Sequence, residues 1–460
     1  MSELEQNRSI NDGYRDREQL ANPAEVLQQS CERLDKYGGF ELIGTSIDGL
    51  QNLNPEKKAR KKIFLTDNEK KKERENLIQS LQLWYGLIAD TNTVADMATK
   101  AEQQSEEASI LLKKNLATAI HETKNLERSY RSVDMFFNNA ESDKIKNLSI
   151  LNASPDQLKD LDSPEYIDAV AEELRDNYDR LDLRRNYSIL VVPGYLGSPR
   201  IIDKWAKIAH ENKVMMVTDF LHLDEPDDVM EMFEEADLTS GDDYKSNVMM
   251  TCNWLVGRGK YNTLDEDEDL YLPPSTALAG RVYQTLMSQV TAGKRHGTLC
   301  EVDGVRFDLK KTEIASLEKM GLIPMVNEYG KVMAFSAKTL FNGDNLGLQT
   351  YSVVRVFDYI TKVLIDFLNR RAFENFTSNT KKDLQSQIVK FLDNITGPKS
   401  LIENFTIKRF EQDPTKKDRI YLDIHITPYF PAKNFIIKLD GQKGDSAEAT
   451  TWQSNYNQQA

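Results

Sequence analysis

The chain has 460 residues, of which 40% are hydrophobic and 29% charged, so it is long enough for about two to four domains with buried cores. Its formal net charge of −14 argues against a nucleic-acid binder and against an anionic membrane surface, since both require a basic footprint. Cys31, Cys252 and Cys300 are far apart and form no CxxC, no apolar run approaches the ~20 residues of a membrane span, and the N-terminus shows no secretory h-region. A soluble cytoplasmic chain with free thiols is expected.

Residues 1–22 are polar and read as a flexible N-terminus. Residues 23–119 read as a helical region. Pro23 opens a helix, Val26, Leu27, Cys31 and Leu34 follow at helical spacing, and Gly38-Gly39 ends it. The basic run Lys57 to Arg74 is interleaved with Glu56, Glu69 and Glu73, which predicts a solvated helix face. Leu77, Leu81, Trp84, Tyr85 and Ile88 form an apolar stripe, and Val94 to Ala119 reads as a long polar helix.

Residues 120–272 read as an α/β domain. Leu126, Tyr130, Val133, Phe136 and Phe137 line one helical face, Ile145 to Leu151 looks extended, and Pro155 to Arg180 reads as polar helix. Strands are expected at Tyr187 to Val192, Lys213 to Asp219 and Asn247 to Trp254, with helices at Arg200 to Asn212 and Asp227 to Ala236. This alternation predicts a parallel sheet covered by helices. Pro193-Gly194-Tyr195-Leu196-Gly197 sits where a phosphate loop can lie, yet it matches neither GxGxxG nor GxxxxGK[ST], so a plain strand-to-helix turn explains it better. Asp265 to Asp269 is a run of carboxylates without the glycine and distal glutamate of a calcium loop, and is expected to be solvated.

Residues 273–441 read as a second domain. Pro273-Pro274 stiffens the approach to a helix over Ala277 to Ser288, capped by Ser275 or Thr276. Phe307 to Leu309 and Lys331 to Phe335 look extended, with a helix over Lys311 to Met320 that stops at Gly321. Two amphipathic helices follow. One carries Val353, Phe357, Ile360, Leu364 and Phe367, the other Leu384, Ile388, Phe391 and Leu392. They are expected to lie under a sheet built from Phe405 to Phe410 and from Arg419 onwards. There Ile420, Leu422, Ile424 and Ile426 alternate with Tyr421, Asp423, His425 and Thr427, a period of two with one apolar and one polar face. Pro428 and Pro431 break or edge that strand, and a further extended run starts at Phe435 and includes Ile437. A sheet so late in the chain has few partners in its own chain, so its edges are expected to pair with other subunits through Tyr421, Asp423, Ile424, His425, Thr427, Phe435 and Ile437. The tail 442–460, low in aliphatics, reads as disordered.

No catalytic constellation stands out. The histidines His121, His210, His222, His296 and His425 form no HExxH and no Cys/His metal spacing, and GxSxG is missing. No cofactor, metal or catalytic residue is therefore assigned.

Three stretches together resemble a known family. LYLPPSTALAGRVYQTL is similar to the Pro-Pro-Ser-x-x-x-Ala-Gly signature of contractile tail-sheath proteins. The run SVVRVFDYITKVLIDFLNRRAFENF, through YLDIHITPYFPAKNFIIKL, resembles their C-terminal domain. HETKNLERSYRSVDMFFNN resembles a helix of the large sheath subunit of bacterial type VI secretion (TssC/VipB-like), although His121-Glu122-Thr123-Lys124 lacks that family's Pro and Phe and Tyr130 replaces its Trp. Phage tail sheaths lack that helix. The departures point to a distant, Bacteroidetes-type branch. The resemblance implies a mixed α/β (α+β) fold with a helical N-terminal region, a central α/β domain and a C-terminal domain with interwoven edge strands. It implies a heterodimer with a small sheath subunit, self-assembly into a helical polymer around inner-tube hexamers, contact with a baseplate, and disassembly by an AAA+ unfoldase of the ClpV type. By position, the unfoldase handle maps to Pro23 to Lys36, with Val26, Leu27 and Leu34. Rival expectations are a phage-like sheath that assembles alone, a nucleotide-binding α/β enzyme, and a helical adaptor using residues 23–119.

Overall fold

The computed structural model describes residues 55–91, 93–141, 143, 145, 147–433, 435–442 and 451–458, together with Gln28 and Glu32. The chain forms two compact units that divide between Ala119 and Ile120.

In the first unit, helices α1 (Pro55–Thr66) and α2 (Lys71–Ala89) are followed by the first part of α3 (Val94–Asn139), whose residues from Ile120 on belong to the second unit. Arg74 closes the α1–α2 turn, donating from Nη1 to Phe64 O at 2.8 Å and to Asp67 O at 2.6 Å. Leu65 packs there against Phe64 and Ile78. Within the basic run, Arg60, Lys62, Lys71 and Lys72 are exposed, with i,i+4 ion pairs Arg60–Glu56 and Lys71–Glu75. Within the expected apolar stripe, Leu77 and Trp84 are exposed. Val26, Leu27 and Leu34 lie outside the described residues. Gln28 and Glu32 between them are helical, and Tyr85 Oη donates to Gln28 Oε1 at 2.7 Å.

The second unit is built on a five-stranded sheet. Its strands are β1 (Ile189–Val192), β2 (Met215–Asp219), β3 (Val248–Cys252), β7 (Leu322–Glu328) and β8 (Lys331–Ala334), in the order β1-β2-β3-β7-β8. The first four run parallel and β8 turns back antiparallel. A parallel sheet must be covered on both faces, and β2 and β3 are buried along their whole length. The period of two sorts their residues. Met216, Val248, Met250, Leu322 and Val326 face the helices α4 (Glu165–Tyr178), α5 (Pro199–Glu211), α6 (Pro226–Ala236) and α8 (Lys311–Met320), through Ile167, Trp205, Phe233 and Leu317. Met215, Val217, Met249, Ile323 and Met325 face α7 (Ser275–Gln284), the last turns of α3, and a three-stranded sheet of β4 (Leu255–Arg258), β5 (Leu270–Leu272) and β6 (Gly304–Val305).

A third core lies under the C-terminal strands. Helices α9 (Tyr351–Arg370) and α10 (Ser378–Asn394) contribute Val356, Ile360, Leu384, Ile388 and Leu392. Strands β9 (Ile402–Gln412) and β10 (Ile420–Pro428) contribute Phe410, Phe405, Ile407, Leu422, Ile424 and Ile426. The two amphipathic helices thus lie under the alternating strand, as their spacing predicts.

Several local expectations change. The two helical stretches on either side of residue 120 are one helix, α3, because neither Gly nor Pro interrupts them. The helix expected over Pro155 to Arg180 is confined to Glu165–Tyr178, beyond Ser163-Pro164. Leu148, Ile150 and Leu151 are exposed and belong to no strand, and the strand near Phe307 is Gly304–Val305 instead. Within the tail read as disordered, Thr451–Gln458 forms strand β12, paired antiparallel with β11 (Phe435–Gln442). Hairpin pairing draws on backbone groups that are the same in every composition.

Two features join these layers. The first is Asp219, fully buried at the C-terminal end of β2. Its Oδ2 accepts from Gly194 N at 2.7 Å and Ser275 Oγ at 2.6 Å, and its Oδ1 accepts from Ser275 N at 2.7 Å and Thr251 Oγ1 at 2.5 Å. Burial pushes this carboxyl up, against the pull of the four donors. The β1–α5 turn, the end of β3 and the start of α7 are thereby held to one carboxylate. The second is Gly280. A Cβ there would sit 2.4 Å from Phe136 O, so only glycine lets α7 lie directly on α3. Beside it, Asn139 Nδ2 donates to Cys300 O at 3.1 Å while its Oδ1 accepts from Cys300 N at 2.8 Å. The Pro-Pro-Ser-x-x-x-Ala-Gly signature is therefore architectural: Ser275 bonds the buried carboxylate and Gly280 admits the neighbouring backbone.

Asp219→Ala leaves two backbone and two hydroxyl donors buried without an acceptor, and is expected to cost about 3 kcal/mol in denaturant unfolding of the purified protein. Gly280→Ala forces apart two packed backbones and is expected to lower stability by about 1–3 kcal/mol. A wild-type unfolding midpoint in either variant would contradict these assignments.

Candidate subunit interface

The C-terminal strands expose backbone edges that, beyond one bridge at Ile402, the rest of the described chain leaves unpaired. β9 and β10 pair with each other from Ile420↔Gln412 to Pro428↔Ile402, with register shifts between Asp423 and Ile424 and between Thr427 and Pro428, and the one further pairing among the described residues is a single bridge from Ile402 to Thr396 at the start of β9. β11 and β12 likewise pair only with each other, from Phe435↔Gln458 to Gln442↔Thr451. Among the described residues, each of these two-stranded sheets therefore has two outer edges without a ladder partner. Such an edge carries a row of free N–H and C=O groups and is a template for strand addition.

The site residues read from the sequence divide in the structure. Asp423, His425 and Thr427 are exposed on the polar face of β10. Ile424 lies on the opposite face and packs into the third core, opposite Ile407 in register. Tyr421 is half-buried and committed to its own hairpin. Its hydroxyl donates to Asp413 Oδ2 at 2.7 Å, and the Arg409 guanidinium lies 4.1 Å from its ring centroid. Phe435 and Ile437 belong to β11, where Ile437 is exposed.

Two tethers that sequence reasoning missed fix the connector between β10 and β11. Tyr429 Oη donates to Gly397 O at 2.8 Å, and Lys433 Nζ forms an ion pair with Glu318 at the end of α8. The partners are 32 and 115 residues apart, so no local pattern announces them. The connector, at Tyr429, Phe430 and Pro431, borders a cavity of about 630 Å³ lined on its other side by Leu286, Val290 and Phe335. Beyond Lys433 no such tether is seen among the described residues.

The other candidate sites fold into structural duties. Gly194, with φ +89°, opens the turn after β1, but its N–H points at Asp219. A carboxylate occupies the place a phosphate loop reserves for its anion, and repels a phosphate. The acidic loop is not wholly solvated. Glu266 turns inward to Arg258 at 2.8 Å, and Arg258 also bonds Glu127 of α3 at 2.9 Å. The Arg258 hydrogen bonds hold the Glu266 carboxyl below the ordinary carboxylate range. Burial alone would raise Glu127, but Arg258 and Arg131 bring it below that range as well.

Comparison with known proteins places this architecture. Residues 118–342 match the central domain of type VI secretion system TssC/VipB, residues 350–458 the TssC/VipB-like C-terminal domain, and residues 27–116 the TssC/VipB-like N-terminal region. No curated protein matches the chain. Among solved structures, the contracted helical sheath of the anti-feeding prophage is similar at 17% identity and TM-score 0.45, over 66% of this chain and 79% of that one. A chain of the anti-feeding prophage baseplate is similar at 16% identity and TM-score 0.44, over 65% and 77%. A sheath tail protein from Desulfitobacterium hafniense is similar at 13% identity and TM-score 0.40, over 64% and 60%. With its three successive regions matched from residue 27 to residue 458 and two open-edged sheets closing its last domain, the chain belongs to the TssC/VipB family, the structural sheath subunits of the type VI secretion system.

Proposed function

We propose that the sheath is woven through the two C-terminal sheets: strands of neighbouring subunits add to the free edges of β9–β10 and β11–β12. The observation that carries this is the pair of separate two-stranded sheets whose outer edges, apart from one bridge at Ile402, find no partner in the described chain. Open-ended helical assembly needs heterologous contacts that repeat without closing, and strand addition supplies them with direction and register. Each backbone hydrogen bond is worth only about 1 kcal/mol net, so one link is modest while many links per ring make a strong mesh. In this scheme Asp423, His425, Thr427, Phe435 and Ile437 sit at the woven surface, and Tyr421 and Ile424 set its register from inside the hairpin. The β11–β12 hairpin, which follows the tether at Lys433, keeps neighbours linked while the bodies rotate during contraction.

The same reading assigns a small sheath subunit as heterodimer partner, an inner tube enclosed by the sleeve, a baseplate at one end and a ClpV-type unfoldase that dismantles the contracted state. It assigns no catalytic step to this chain and a cytoplasmic location. The handle proposed for the unfoldase, at Val26, Leu27 and Leu34, lies outside the described residues.

Ile424→Pro removes a donor and distorts β10 in mid-ladder. The variant is expected to give soluble protein with helical circular dichroism but no tubes in electron micrographs; normal tubes would count against weaving. Expressed alone, the chain is expected to form no sheath, and co-expression with the small subunit to restore it. Tubes from this chain alone would return it to the phage-like reading. Nucleotides are expected to leave its thermal midpoint unchanged, because Asp219 occupies the only candidate phosphate turn among the described residues.

A further inference from the structure

The connector that Tyr429 and Lys433 pin down runs beside an open groove. The cavity of about 630 Å³ adjoins a second one of about 460 Å³, since Glu318, Phe430, Pro431 and Lys433 line both. Leu286, Leu346 and Phe430 give the groove an apolar wall and are themselves exposed. Its charges are nearly all of one sign. Lys319, Lys338, Lys399 and Lys433 stand against a single acid, Glu318, which Lys433 already holds. Lys319 and Lys399 are exposed and pair with no carboxylate among the described residues. Lys338 is half-buried, and burial together with the nearby Lys433 holds its ammonium below the usual lysine range, against the pull of Glu318. On a chain of net charge −14, such a groove is complementary to an acidic partner.

The same chain carries that complement. Between Lys213 and Lys245 it has no lysine or arginine. Within this stretch α6 buries Val229 and Phe233 and leaves Asp227, Asp228, Glu231, Glu234 and Glu235 exposed, none of them in an ion pair with a described residue. Asp228, Glu231, Met232 and Glu235 stand at i, i+3, i+4 and i+7, so they share one helix face. Met232 is 39% exposed among these carboxylates. Its unbranched, polarizable side chain suits an irregular apolar wall. Within one copy, no ion pair among the described residues joins this face to the four lysines of the groove.

We propose that the groove beside the connector takes the acidic face of α6 from a second copy of this chain, with Met232 on its apolar wall and Asp228, Glu231 and Glu235 set against its lysines. Three observations choose this occupant. The charges of the two surfaces are complementary, and an apolar anchor on a helix face matches the way helices dock into grooves. The groove also borders the connector between the two open-edged sheets, so it is continuous with the candidate subunit interface. The helix face and the groove are different surfaces, so the contact repeats from copy to copy. Exposed ion pairs are weak singly and screened by salt, so the contact is salt-sensitive. It requires that the chain assembles with copies of itself, and it does not depend on the strand weaving.

The test places Met232→Cys and Leu346→Cys in one chain, in a background of Cys31→Ser and Cys300→Ser. Sheaths assembled with the small sheath subunit are treated with a short bis-maleimide. The double variant is expected to give a ladder of covalent multimers of this chain on denaturing gels, and mixed sheaths of the two single variants are expected to stop at dimers. Tubes of the double variant that yield no multimer, or nothing above a dimer, overturn the contact and leave the strand weaving standing. If the double variant makes no tubes, charge reversal decides. Lys319→Glu with Lys399→Glu is expected to lower the amount of pelleted sheath about tenfold or more, because like charges then face each other. Adding Asp228→Lys, Glu231→Lys and Glu235→Lys is expected to restore it. A wild-type yield from the lysine variant, or no recovery when α6 is reversed as well, overturns the contact.

Discussion

A single buried carboxylate holds the second unit together. Asp219 stands at the C-terminal end of β2 and receives four hydrogen bonds from three other segments. A charge so buried is tolerable only when its acceptor capacity is filled. That demand fixes the β1–α5 turn, the end of β3 and the start of α7 relative to β2. In many α/β folds the ends of parallel strands form a crevice for a ligand. Here the side chain of the protein itself fills that place, and a position that commonly serves chemistry becomes a joint.

From that joint the rest follows outward. α7, seated by Ser275, can approach α3 closely because Gly280 has no side chain. Glu127 of α3 in turn meets Arg258 and, through it, the acidic loop. On the far side, α9 carries the order of the sheet core into the core beneath β9 and β10. The rigid part of the unit ends at Tyr429 and Lys433, which tie the connector down just before the last two strands. A stiff body presenting open strand edges is what a contractile lattice requires.

The alternating pattern of Ile420 to Thr427 foretold both a half-buried strand and its free edge, because side-chain period and backbone pairing are local properties of extended chain. The two amphipathic helices beneath it were legible for the same reason. The Pro-Pro-Ser-x-x-x-Ala-Gly stretch could be recognised as a family signature, yet its physical purpose was hidden. Ser275 matters because of an aspartate 56 residues away, and Gly280 because of a carbonyl on a helix more than a hundred residues earlier. Asp219 itself ended an ordinary-looking strand and belonged to no motif. Strand β12 escaped notice because its polar residues say nothing about backbone pairing.

What the amino-acid order determined alone was therefore most of the central strands and helices, the faces that the strongly periodic ones bury, the family and the alternating strand near the C-terminus. Each of these is written in periodicities of 2 and 3.6 residues or in contiguous motifs. The tertiary structure alone decided which polar groups meet: Asp219 with its four donors, Lys433 with Glu318, and Arg258 with both Glu127 and Glu266. A buried charge takes its partners from whatever segments the fold brings into contact, and those separations leave no local trace in the chain.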